Sequence, residues 1–221
     1  MMAVFEKSLR LRHIGHLDIQ RAMQRALRRS GLPVKYSQGF NPHILVTFAS
    51  ALSTGAVGLK ELMDVTLETD VTEEVFLAAM NRALPPEMQL ISCKAMDDKH
   101  PALMAMVCAA SYDIQVMDAG IAAKLAASVE SFLAQETIPA MRKTKSGIKE
   151  CDIKPLVFDL KVEGEHIYAT MELTERSSCK PDMLVTALST FAGCEIPRVL
   201  VTRTQLWGLD ASGNRVALET L

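Results

Sequence analysis

The chain has 221 residues, 49% of them hydrophobic, with a formal net charge of −2 and a pI near 6.2. It can therefore bury a substantial core in one domain or in two of roughly 100 residues each, and it is not a uniformly basic nucleic-acid binder, which would carry a clear positive excess. Five scattered cysteines (Cys93, Cys108, Cys151, Cys179, Cys194) without a CxxC pair argue against a disulfide framework or a zinc knuckle and fit a reducing cytoplasm.

Two further features narrow the class. No run approaches the ~20 apolar residues needed to cross a bilayer, so no membrane association is expected. Charge is unevenly spread: up to Phe48, Lys7, Arg10, Arg12, Arg21, Arg25, Arg28, Arg29 and Lys35 stand against only Glu6 and Asp18, whereas acids predominate between Glu61 and His100. Any basic face is local.

In chain order, "AVFEKSLRLR" (residues 3–12) alternates apolar and polar side chains as a strand does. "DIQRAMQRALRRSG" (18–31) has helical periodicity, with Asp18 at the N-cap, Ile19, Met23, Ala26 and Leu27 on one face, and Gly31 as the stop. "HILVTFAS" (43–50) and "LMDVTLET" (62–69) read as strands, "TEEVFLAAMNRAL" (72–84) as a helix capped by Thr72, and "QLISCKAM" (89–96) as a strand. Residues 101–110 suit either a short helix or part of a strand.

The second half repeats the plan. It offers a strand in "SYDIQVM" (111–117), an alanine-rich helix in 120–136, a hairpin around Gly164 (153–174), a helix in 180–193 with Pro181 in its first turn, and a final strand in 198–209. The expected fold is α+β: two tandem ferredoxin-like (βαββαβ) units, residues 1–100 and 108–221.

Two basic segments are the candidate sites. Arg21, Arg25, Arg28 and Arg29 recur at three- and four-residue spacing and so share one side of the first helix, away from its apolar face. Guanidinium groups in a row suit phosphates, to which each offers planar, bidentate donors. The loop that follows, "YSQGFNPH" (36–43), adds rings on which a base can stack, Tyr36 and Phe40, amides able to read base edges, Gln38 and Asn41, and Gly39 for close backbone approach. The alternative is that Phe40 plugs the core while Asn41 and Pro42 turn the chain.

In the second half, "RKTKSGIKECDIKP" (142–155) concentrates Arg142, Lys143, Lys145, Lys149 and Lys154 around Gly147. It reads as a basic loop. RNA is the expected ligand of the two segments together.

Histidines carry the competing chemistry. His16 precedes the first helix and His43 opens the next strand, so the two can meet at one end of a sheet. With Asp18 they would make a divalent-metal set, and alone they would serve as acid and base in RNA cleavage. Phosphate-loop, GxGxxG, HExxH and GxSxG motifs are missing from the chain, and no cofactor is expected.

"HLDIQRAMQRALRRSGLPVKYSQGFNPH" (16–43) and "KSGIKECDIKP" (145–155) resemble the two signatures of the bacterial radical-SAM-linked protein family, a domain of unknown function. Where that family commonly has an apolar residue and a proline, this chain has His13 and Ile44. The resemblance implies a protein encoded beside, or fused to, a radical-SAM enzyme. The chain has no CxxxCxxC cluster to hold an iron–sulfur centre, so the radical chemistry implied would belong to that partner. The expected function is a non-catalytic, cytoplasmic RNA-binding accessory subunit that presents transfer or ribosomal RNA to the enzyme. An enzyme using His16 and His43, or an adaptor whose arginine helix docks an acidic protein surface, are the alternatives.

Overall fold

A computed structural model describes residues 1–97, 99–144 and 147–221. The described residues form a mixed α/β structure with five α-helices, and the chain divides into two compact units, Met1–Val107 with Gln205–Leu221, and Cys108–Thr204.

The first unit runs β1 (Met2–Lys7), α1 (His16–Ser30), β2 (Val46–Phe48), β3 (Val57–Val65), α2 (Glu73–Ala83), β4 (Leu90–Lys94) and the short α3 (Leu103–Met106). β1 lies antiparallel between β3 and β4, and β2 pairs antiparallel with β3, giving the order β4-β1-β3-β2. The apolar faces of both long helices close the core: Met23 and Leu27 of α1 and Phe76 and Met80 of α2 cluster with Phe5, Phe48 and Met63 of the strands. Thr72 caps α2 as expected, its hydroxyl accepting from the Val75 N–H at 3.4 Å, and Gly31 ends α1 in the left-handed region at φ 75°, where a side chain would strain the backbone.

Three local expectations need correction. Asp18 is not the N-cap of α1. Gly15 occupies that position and its carbonyl accepts from the Asp18 and Ile19 N–H groups; Asp18 sits in the first turn, where the helix dipole favours an acid, and pairs with Arg21 at 3.0 Å. The first strand stops at Lys7, because a 3-10 turn follows at Leu9–Leu11. "HILVTFAS" contributes only Val46–Phe48 as strand, because the chain before it pairs with itself, Tyr36 bridging Ile44 and the Leu45 N–H donating to the Lys35 carbonyl at 2.9 Å.

The second unit runs β5 (Ala109–Val116), α4 (Ala119–Leu133), β6 (Pro139–Thr144), β7 (Gly147–Asp152), β8 (Val157–Glu163), β9 (His166–Glu172), α5 (Pro181–Phe191) and β10 (Val199–Leu209) up to Thr204. Its strand order is β10-β5-β9-β8. Alternation is clean here: Tyr112, Ile114 and Val116 of β5 and Ile167, Ala169 and Met171 of β9 are buried, while Ser111, Asp113, His166 and Tyr168 lie half-buried between them. α4 packs against β5, β8 and α5, burying Leu125 and Phe132. Its first turn is capped by Asp118, whose carboxylate accepts from the Ile121 N–H at 2.9 Å.

The lysine-rich stretch read as a loop is a two-stranded antiparallel ribbon, β6–β7, in which Met141 faces Glu150 and Arg142 faces Lys149. The sequence expectation for this half contains no such ribbon. The end of β10, the short β11 (Arg215–Ala217) and the tail, which the sequence reading assigns to the second half, group with the first unit. There Glu219 accepts from Gln205 at 2.6 Å and from Lys60 at 2.9 Å.

Candidate nucleic-acid interface

The four arginines of α1 are all exposed, yet they are not equivalent. Arg21 is held by Asp18, and Arg29 donates to the Ala83 carbonyl at the end of α2 at 2.8 Å. Arg25 and Arg28 make no ion pair among the described residues. Arg28 and Arg29 also lie in the last turn, where the helix dipole favours cations.

The loop 36–43 is a pinned excursion. The Ser37 N–H donates to the His43 carbonyl at 2.8 Å, the His43 N–H donates to Ser37 Oγ at 3.1 Å, and Ser37 Oγ lies 2.8 Å from His43 Nδ1. With its ends clamped, everything between points away from the core: Gln38, Gly39, Phe40, Asn41 and Pro42 are exposed, and Phe40 is completely so. Gly39 takes φ 133°, which a side chain would resist. The plugged-core alternative for Phe40 is overturned: Phe48, not Phe40, packs edge-on against Phe5, with ring centroids 5.8 Å apart. Tyr36 is only partly exposed, since it bridges Ile44.

His16 and His43 fall in different places. His16 packs edge-on against Phe48 at 5.3 Å and lines a small cavity with Lys7 and Glu61. His43 lines a separate cleft of about 430 Å³ with Asp64 and His100. Asp18 is turned to Arg21, and no group of three potential metal ligands exists among the described residues. The His16, Asp18 and His43 set is thus not assembled.

Both cavities contain groups the sequence reading passed over. Lys7 and Glu61 are nearly wholly buried, Lys7 Nζ donating to the Arg12 carbonyl at 3.1 Å. Gly58 makes room for the Glu61 side chain, which a Cβ there would meet at 2.6 Å. The available signal was a charged residue at an inward position of an apolar strand. In the other cleft, His100 binds Asp64 through Nε2 at 3.0 Å and the Pro101 carbonyl through Nδ1 at 2.7 Å. Nothing in the spacing of residues 64 and 100 announces that pair.

In the second unit, Arg142 is half-buried and donates to the Ser178 carbonyl at 2.8 Å. Beside it, burial pushes the Cys179 thiol up to about 12, with the Arg142 guanidinium pulling the other way. Lys143 and Lys149 are exposed; Lys145 lies outside the described residues. Lys154, at the base of the ribbon, is directed to the Leu133 carbonyl. The ribbon therefore offers two described ammonium groups to an anion and holds its arginine in place.

No helix among the described residues is long and apolar enough to cross a membrane. A search of curated proteins finds no match. A family model described as an uncharacterized protein conserved in bacteria (DUF2344) matches residues 1–183, a description that names no partner enzyme. On that match, which spans most of both units, the chain belongs to the DUF2344 family.

Proposed function

We propose that this DUF2344 protein is a non-catalytic RNA-binding accessory subunit that presents transfer or ribosomal RNA to a radical-SAM modification enzyme. The observation that carries the reading is the clamped loop with a fully exposed Phe40 at its tip, following a helix whose Arg25 and Arg28 are exposed and unpaired among the described residues. A fully exposed ring buries no area in the fold and leaves its face free for a ligand. Base stacking on such rings contributes roughly 1–3 kcal/mol per base, and arginines supply the phosphate contacts that position the strand. Lys143 and Lys149 are the second unit's share. The radical-SAM partner rests on the resemblance of residues 16–43 and 145–155 alone.

We further read each unit as ferredoxin-like. In both, the first and third strands of a βαββαβ run lie between the fourth and the second, as β4-β1-β3-β2 and as β10-β5-β9-β8, with β6–β7 as an insertion.

Fluorescence anisotropy with labelled bulk transfer RNA and ribosomal RNA fragments at low salt tests the RNA half of this reading. Binding lost in Phe40→Ala and in Arg25→Ala/Arg28→Ala supports it, and absent or unaltered binding sinks it. Purification from the native cell after nuclease treatment tests the other half, which fails if no radical-SAM enzyme is recovered.

A second reading, an enzyme, draws on the cleft that His43 shares with Asp64 and His100. It requires turnover of a substrate by the purified protein alone, lost in His43→Ala.

A further inference from the structure

The second unit contains a cleft of about 440 Å³ between α5 and the β6–β7 ribbon, which the RNA reading leaves unused. α5 contributes Asp182, Thr186 and Thr190, spaced four residues apart and all exposed, so a stripe of the helix about 12 Å long stands open. The opposite wall is Met141 and Glu150, which are directly paired across the ribbon and therefore share a face.

Phe132, Ile138 and Met183 give the cleft an apolar lining, and the apolar surface does not end there. Met141 and Phe191 on its rim are 59% and 40% exposed, and Ile148, two residues from Glu150 on the same ribbon face, is 67% exposed outside the lining. A small molecule seated in the cleft would leave Ile148 in water, whereas an apolar side of a partner protein would cover all three. Methionine, flexible and polarizable, suits such a surface.

Charge decides the kind of partner. Glu150 and Asp182 stand on facing walls, both exposed, and neither has an ion pair among the described residues. Among the described residues the one cation on that ribbon face is Lys143, which is paired with Ile148 beyond the cleft. An occupant must bring apolar side chains at helical spacing along the open stripe and positive charge at its flanks.

We propose that this cleft docks a cationic amphipathic helix of a partner protein, in the helix-in-groove manner. The proposal rests on the accessory-subunit reading for the existence of a partner. It uses no RNA contact.

The test is fluorescence anisotropy of the full chain with a labelled peptide of about 18 residues carrying a leucine stripe flanked by lysines, beside the same peptide with glutamates for the lysines. The lysine peptide is expected to bind at least about tenfold more tightly than the glutamate peptide. Thr186→Arg, or Thr190→Arg one turn along should the first variant not fold, is expected to weaken it by about tenfold or more. Glu150→Lys with Asp182→Lys should reverse the preference. Arg25→Ala/Arg28→Ala should leave peptide binding unchanged while removing RNA binding, so the two readings fail separately. Equal binding of the two peptides, indifference to Thr186→Arg and Thr190→Arg, or a concentration-dependent dimer that Thr186→Arg dissolves would each overturn the proposal, the last by making a second copy the occupant.

Discussion

The loop 36–43 and the β6–β7 ribbon are both polar stretches around a glycine, the first with aromatic rings and amides and the second with cations, and the fold treats them differently. The loop is clamped at its base by Ser37 and His43 and sends every tip side chain outward. The ribbon is a paired strand structure with two faces. One ties Arg142 to the Ser178 carbonyl; the other turns Met141 and Glu150 to a cleft. Side chains at the tip of a clamped loop all face water, whereas those of a ribbon alternate between its two faces, and each is available only as far as its own contacts leave it so.

That contrast can be broken by experiment. The largest expected effect is on RNA affinity: Arg25→Ala/Arg28→Ala should lose more than about tenfold at low salt, with a shallower salt dependence, and an unchanged slope would remove the arginines from the interface. Phe40→Ala should cost about 1–3 kcal/mol of RNA affinity while leaving thermal stability within about 0.5 kcal/mol, as an exposed site should. A marked fall in Tm would mean that the ring has a structural role.

On the ribbon, Arg142→Ala should instead destabilise the fold by about 1–2 kcal/mol in urea melts, because the Ser178 carbonyl loses a charged donor. If it weakened RNA binding without touching stability, the two regions would be alike after all. Gly39→Ala should cost about 1 kcal/mol through its positive φ, measured by the same melts.

The smallest effect is a pH one. The Cys179 thiol is raised in the folded state, so its contribution is complete below the ordinary thiol pKa of about 8.5 and fades as pH rises toward the folded value. Urea melts at alkaline pH should show a decline that Cys179→Ala reduces, and Cys179 should resist alkylation until the protein unfolds.

Helical periodicity announced α1, α2, α4 and α5, because an apolar stripe that must be buried leaves its spacing in the residues. Thr72 and Gly31 were legible as helix ends for the same local reason. The shift of the α1 N-cap from Asp18 to Gly15 was not, since an acid suits both the cap and the first turn. β6–β7 was hidden because most of it faces water, so its residues are charged and carry no core-facing alternation. Of the site, the arginine face and the loop were visible as composition, but the division of the arginines into held and free was not. Arg21 is held by Asp18 three residues away, but Arg29 is held by Ala83, a residue distant in the chain. The pairing of His100 with Asp64 is likewise a product of tertiary structure.

The division of the chain at Val107 and again at Gln205 has a consequence for the order of synthesis. The second unit is one uninterrupted segment, Cys108–Thr204, whereas the first needs residues from both sides of it. Lys60 and Lys94 reach partners in Glu219 and Leu221, and a Cβ at Gly208 would collide with the side chains of Leu218 and Leu221. A ribosome therefore delivers everything the second unit requires before the first can be finished. The segment that carries Arg25, Arg28 and Phe40 is made before the second unit, and waits until after it for residues 205–221 to complete its own.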